Sequence, residues 1–191
     1  MNKKEEIMEV ALSLFASEGY ESVGVAKIVN EASVTKPTLY HYFGNKEGLL
    51  KSIYEFYFAK LMKTLKEVSI YNQDVIRTME TMTKAYISFA KDNIMFFVLT
   101  NHLRMGPLKS ESHLIVKPFH DEELELMTKL IYDISSHHTN LKGNEEFLVM
   151  NYMNLINGFI EIHIRNNDLE EMDDQAVTKL SKQFLYGIFS L

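Results

Sequence analysis

The chain has 191 residues, 46% of them hydrophobic, which fits one compact domain or two small ones and excludes a disordered polypeptide. It has no cysteine, so disulfides and thiolate metal sites are excluded. A net charge of −6 argues at first against a nucleic-acid partner, yet residues 1–64 are neutral and the acidic excess lies beyond them. Between Val34 and Lys63, Lys36, Lys46, Lys51, Lys60 and Lys63 stand against only Glu47 and Glu55.

In chain order, the first predicted helix runs from about Asn2 to Ser17. Asn2 and Glu5 have capping-box spacing. Ile7, Val10, Ala11, Leu14 and Phe15 form an apolar stripe, and Gly19 ends the helix. The charged start (Lys3, Lys4, Glu5, Glu6) does not resemble a signal peptide, so a cytoplasmic protein is expected.

A short helix is predicted over Val25 to Ala32, with Val25, Ile28, Val29 and Ala32 on one face. Ser33 and Val34 turn the chain. Thr35 is placed to cap the next helix, and Pro37 falls in its first turn, where a missing N–H costs nothing. Leu39 and Phe43 face inward, Gly44 ends the helix and Asn45 caps the following one. Two short helices around a tight turn, the second bearing a cation, hydroxyls and aromatics, describe a helix-turn-helix with its recognition helix. Candidate DNA contacts are Lys27, Thr35, Lys36, Pro37, Thr38, Tyr40, His41, Tyr42 and Lys46. Lysine donates to guanine edges, and the aromatics and hydroxyls suit phosphates and sugars.

A long helix follows from Lys46 to about Val68, with Leu49, Leu50, Ile53, Phe56, Tyr57, Leu61 and Leu65 apolar. Five more helices are predicted, roughly Gln73–Lys91, Asp92–Met105, Pro118–Ser136, Asn144–Arg165 and Asp174–Phe189. Asp92 and Asn144 are the expected caps, and Leu108 to Lys117 is expected as a loop. No strand pattern is present. The longest charge-free apolar stretch, Phe147 to Ile160, is too short and too polar to span a bilayer, so no membrane partner is expected.

The helix over 144–165 has two apolar stripes about 120° apart and needs two packing partners: one is its own domain, and the other is either more of that domain or a second copy of the chain. Val149, Met153, Ile156, Ile160 and Ile164, with Val177, Leu180, Phe184 and Ile188 of the last helix, are the candidate dimer interface. Met82, Tyr86, Phe89, Phe96, Leu99, Leu103, Met127, Ile131, Tyr152 and Phe159 are candidates to line a cavity for a small, largely apolar effector.

The segment LFASEGYESVGVAKIVNEASVTKPTLYHYFGNKEGLL resembles the DNA-binding region of the TetR family of bacterial regulators. The Leu14-Phe15…Gly19-Tyr20 pattern, the Val34-Thr35-Lys36 turn, Thr38 to Phe43 and Lys46-Glu47 carry the resemblance, over about Lys3 to Ile53. It implies an all-α fold of about nine helices: a three-helix DNA-binding domain over 1–45 and a ligand-binding and dimerisation domain over 46–191. It further implies a homodimer, a palindromic operator on double-stranded DNA and a repressor released by its effector. Three positions depart from the family pattern: Gly24 for the usual Ser or Thr, Ala26 for a frequent Arg, and Ser33 for the turn Gly. A positive φ at Ser33 would cost about 1 kcal/mol.

Six histidines outside the recognition helix raise a metal reading, but no H-E-x-x-H and no E-x-x-H pair occurs. No metal or cofactor is expected, and these histidines are read as surface or hydrogen-bonded groups. No Gly-rich phosphate loop or nucleophile elbow is present, so an enzyme reading has no visible catalytic constellation. A plain ligand carrier would share the C-terminal half but not explain the lysine-bearing recognition helix.

Overall fold

The computed structural model describes residues 2–189, with side chains described as far as Gly187. Among the described residues there are nine α-helices and no strand. They are α1 (Lys3–Glu18), α2 (Val25–Glu31), α3 (Lys36–Phe43), α4 (Lys46–Val68), α5 (Val75–Asp92), α6 (Ile94–Arg104), α7 (Glu111–His137), α8 (Glu145–Asn166) and α9 (Asp174–Phe189). No described helix is long and apolar enough to cross a membrane.

Two compact units emerge from the packing. One contains the chain up to Lys60 together with Asn93–His120; the other contains Leu61–Asp92 and everything from Asp121 onward. Helices α4 and α7 contribute to both. In the first unit α1 packs on α2 and α6, and α2 packs on α3. Residues 46–60 and 93–120 thus group with the helix-turn-helix, because α6 supplies Phe96, Leu99 and Leu103 to its core. Phe96 stacks on Tyr57 at 5.1 Å and meets Tyr54 edge-on at 5.1 Å. The Tyr57 hydroxyl donates to Glu9 at 2.5 Å.

Helix α1 starts where the sequence places it. Asn2 accepts from the Glu5 N–H, and Glu5 accepts from the Asn2 N–H, each at 3.0 Å. Its buried face is Ile7, Met8, Ala11, Leu12, Phe15 and Ala16, while Val10 and Leu14 are half-buried. The buried face is turned toward Met8 and Leu12, and α6 packs on α1; local spacing predicts a helix near α6 but not which helix it covers.

In the second unit α5 packs on α8 and α9, which pack on each other. A buried polar chain crosses this core: Ser181 Oγ donates to Thr83 Oγ1 at 3.1 Å, and Thr83 lies 3.1 Å from the Tyr152 hydroxyl. Burial pushes the Tyr152 hydroxyl far above its ordinary pKa, so it stays a neutral phenol.

Two expected boundaries are corrected. α7 begins at Glu111 and runs through Pro118, so Leu108 to Lys117 is not one loop. Ser110 opens it, its Oγ accepting from the His113 N–H at 3.2 Å. Asp92 ends α5 rather than capping α6, whose cap is Asn93 without a side-chain bond. Asn144 is the N-cap of α8, as expected, without a side-chain bond.

The proposed dimer residues are also corrected. Val149, Ile156, Ile160, Val177, Leu180 and Phe184 are at most 6% exposed in a single chain, because α5, α8 and α9 cover one another. Within the single chain they leave little surface for a second copy. Met153 and Ile164 are half-buried, and the Ile188 side chain lies outside the described residues. The open face of α8 carries Phe147, Met150 and Ile162, with Asn151 and Asn154, while α9 exposes Tyr186.

Candidate nucleic-acid interface

Helices α2 and α3 are joined by Ala32 to Thr35. The Val34 N–H donates to the Val29 carbonyl at 2.9 Å, and Ser33 takes φ +50°. This is the left-handed conformation that a glycine would adopt more cheaply. Ile28, Val29, Leu39 and Phe43 bury the inner faces of both helices.

Thr35 caps α3: its Oγ1 accepts from the Thr38 N–H at 3.4 Å and lies 2.9 Å from the Thr38 hydroxyl. Gly44, at φ +76°, ends the helix. Asn45 Oδ1 accepts from the Gly48 N–H at 2.7 Å, which starts α4 one residue later. Gly24 caps α2 without a side-chain bond.

With Leu39 and Phe43 fixed inward, α3 presents Lys36, Pro37, Tyr40, His41 and Tyr42 to solvent, and Thr38 is half-buried. Tyr40 and Tyr42 are 46% and 40% exposed. The His41 and Tyr42 rings meet edge-on at 5.3 Å. This arrangement puts one cation, two hydroxyls, an imidazole and two phenols on one short exposed rod, the chemistry that suits base edges and phosphates.

Two of the nine candidate contacts are placed differently. Lys46 Nζ donates to the Tyr20 carbonyl at 3.0 Å and the Val23 carbonyl at 3.2 Å, and sits 4.0 Å from the Tyr20 ring centroid. It ties the α1–α2 link to α4 and is no longer an exposed cation. Lys27 Nζ lies 2.5 and 2.7 Å from the two carboxylate oxygens of Glu18. Glu18 was not legible from the sequence as its partner: it ends α1, nine residues earlier, and no helical period links the two.

A further contact reaches this region from α7. Ser112 Oγ donates to Glu21 at 2.9 Å, and Glu111 meets Glu47. Burial and then the Glu47 charge push the Glu111 carboxyl upward.

The ten cavity candidates fall in both units. Phe96, Leu99 and Leu103 are buried in the first; Met82, Tyr86, Met127, Ile131 and Tyr152 are buried in the second, with Phe89 and Phe159 half-buried. A hollow in the second unit is lined by Lys66, Ile70, Tyr71, Leu126, Lys129 and Leu130, none of them among the ten. His138 and His163 have side-chain partners, Tyr71 at 3.0 Å and Asp168 at 2.7 Å.

Residues 7–53 match the family described as bacterial regulatory proteins, tetR family. The HTH-type transcriptional regulator YuxN of Bacillus subtilis (strain 168) is 44% identical over 61 residues, 31% of this chain and 21% of that protein. The chain therefore spans about a fifth of the length of that curated relative. The fatty acid metabolism regulator protein of the same strain is 23% identical over 182 residues, 95% of this chain and 77% of that one. The fold is that of a solved fatty acid degradation regulator, FadR from Bacillus halodurans, at a TM-score of 0.77 and 18% identity, covering 97% of this chain and 95% of that one. Residues 7–53 thus match the tetR family of bacterial regulatory proteins, and the whole chain shares the all-helical fold of the solved regulator.

Proposed function

We propose that this chain is a DNA-binding transcriptional repressor, acting in the cytoplasm as a homodimer on a palindromic operator. The observation that carries the reading is α3. Its apolar residues Leu39 and Phe43 are buried, α2 packs on it, and its Lys36, Tyr40, His41 and Tyr42 are left exposed on a capped helix. Such a helix lies in the major groove with its first residues at base edges. Lys36, Pro37 and Thr38 occupy that end, and Tyr40, His41 and Tyr42 follow toward the backbone. Two copies would place their recognition helices about 34–36 Å apart, one turn of the duplex.

The open face of α8 and α9, with Phe147, Met150, Ile162 and Tyr186, is the surface that supports a two-fold pairing. A small apolar effector is proposed to bind among the C-terminal helices and to favour a conformer whose recognition helices no longer match that spacing. The relative named for fatty-acid metabolism supports an effector with an apolar chain.

The test is selection of a duplex from a random library, followed by affinity measurement across salt concentrations. A palindromic site bound with steep salt dependence is expected. Lys36→Ala should weaken that site by ~1–3 kcal/mol and relax one position of it. No enrichment of any site, or an unchanged affinity in Lys36→Ala, excludes the reading.

A further inference from the structure

We propose, resting on the DNA-binding reading above, that Glu18 holds Lys27 away from the phosphate backbone and so sets the affinity of the interface. Lys27 lies in the first turn of α2, and its ammonium meets both carboxylate oxygens of Glu18. The two side chains are 45% and 39% exposed, so a phosphate can compete for the ammonium, but only by displacing the carboxylate.

The surroundings make this one contact matter. Gly24 and Ala26, on either side of Val25, bring no hydroxyl or cation to the start of α2. Lys46 is bound to two backbone carbonyls. Lys3 pairs with Glu6, and Lys51 lies 3.9 Å from Glu55. Lys36 is the lysine of α3 and has no ion-pair partner among the described residues. Lys27 is therefore the cation that the α2 end of the motif still has to offer, and Glu18 already neutralises it. A cation closed in an ion pair releases no DNA counterion on docking. Glu18 is thus a positioning residue: it touches Lys27, not the duplex.

The contact is to the phosphate backbone, so opening it should strengthen binding to every sequence by a common factor. Wild type, Glu18→Gln, Lys27→Ala and the double variant are compared by anisotropy titration on the selected duplex and on a scrambled one, from 50 to 200 mM KCl. Glu18 is exposed, and equal thermal midpoints check that all four proteins fold alike.

Glu18→Gln is expected to steepen the dependence of log K on log salt by about 0.9 per bound protomer. Over that salt range the variant loses ~3.5-fold more affinity than wild type per protomer, ~12-fold for two. At 50 mM it binds both duplexes tighter by the same factor. In the Lys27→Ala background the Glu18 substitution should change nothing. An unchanged slope in Glu18→Gln overturns the proposal, as does a gain that survives without Lys27, since Glu18 would then act only through its charge. If wild type binds no duplex at all, the DNA-binding reading falls, which is a distinct result.

Discussion

The ammonium of Lys46 lies 4.0 Å from the centre of the Tyr20 ring while donating to the carbonyl oxygen of the same residue. One side chain at the start of α4 thereby holds both the ring and the backbone of the link between α1 and α2.

This makes Lys46 a strut of the DNA-binding region. Lys46→Met keeps the apolar stem and removes the charge, and should lower unfolding stability by ~1–3 kcal/mol. Chemical denaturation gives that value. The salt slope of DNA binding should stay at the wild-type value, because no phosphate contact is removed; a slope reduced by about 0.9 per protomer would return Lys46 to the interface.

Gly48 has no positive φ, yet a Cβ there would lie 2.0 Å from the Phe43 carbonyl oxygen. The end of α3 crosses the first turn of α4 at that point. Gly48→Ala forces the two helices apart and should cost ~1–3 kcal/mol of stability. Its DNA affinity should fall with it, read in the same titrations. Gly158→Ala, whose Cβ would meet nothing within 4 Å, is the control and should be at least as stable as wild type.

Ile162 is 58% exposed on α8, and Ile160, two residues earlier, is fully buried. Ile162→Lys should shift the protein toward monomer at micromolar concentration, seen by analytical ultracentrifugation, with its helicity intact. Ile160→Lys should instead unfold the second unit, because it buries an unpaired charge. If Ile162→Lys leaves the oligomeric state unchanged, the open face of α8 is not the pairing surface.

Glu145 is buried at the start of α8, where it accepts from the Ser135 hydroxyl at 2.9 Å and the Gly143 N–H at 2.8 Å. The bond from its own backbone N–H and then the Ser135 bond hold its carboxyl below the ordinary value of 4.5. The folded state therefore binds fewer protons than the unfolded chain below that value. The charged form contributes stability that is complete above 4.5 and is lost as pH falls toward the lowered folded value. Glu145→Gln should lower the thermal midpoint at pH 7, and its deficit against wild type should shrink below pH 4.5. A deficit that stays constant from pH 7 to pH 3 would rule out the carboxylate as its source.

The DNA-binding end was legible residue by residue because its signals are local. Asn2 and Glu5 lie one turn apart, Thr35 precedes Pro37, and Gly44 follows Phe43; each needs only its neighbours to act. Even the cost at Ser33 was legible, since the turn has one residue where a positive φ fits. Pro118 misled for the opposite reason: it suits a helix start, but Ser110 opens α7 earlier and the helix runs on through the proline.

By itself, the sequence determined the helices and the exposed character of α3, since periodicity and caps act within a few residues. Only the tertiary structure decided which lysines remain available and which side of α8 is covered. Lys46 and Lys27 meet Tyr20 and Glu18 across turns whose geometry no spacing encodes. Helix α8 is apolar on two sides, so its sequence fits either orientation; α5 and α9 cover one and leave Phe147 and Ile162 on the other.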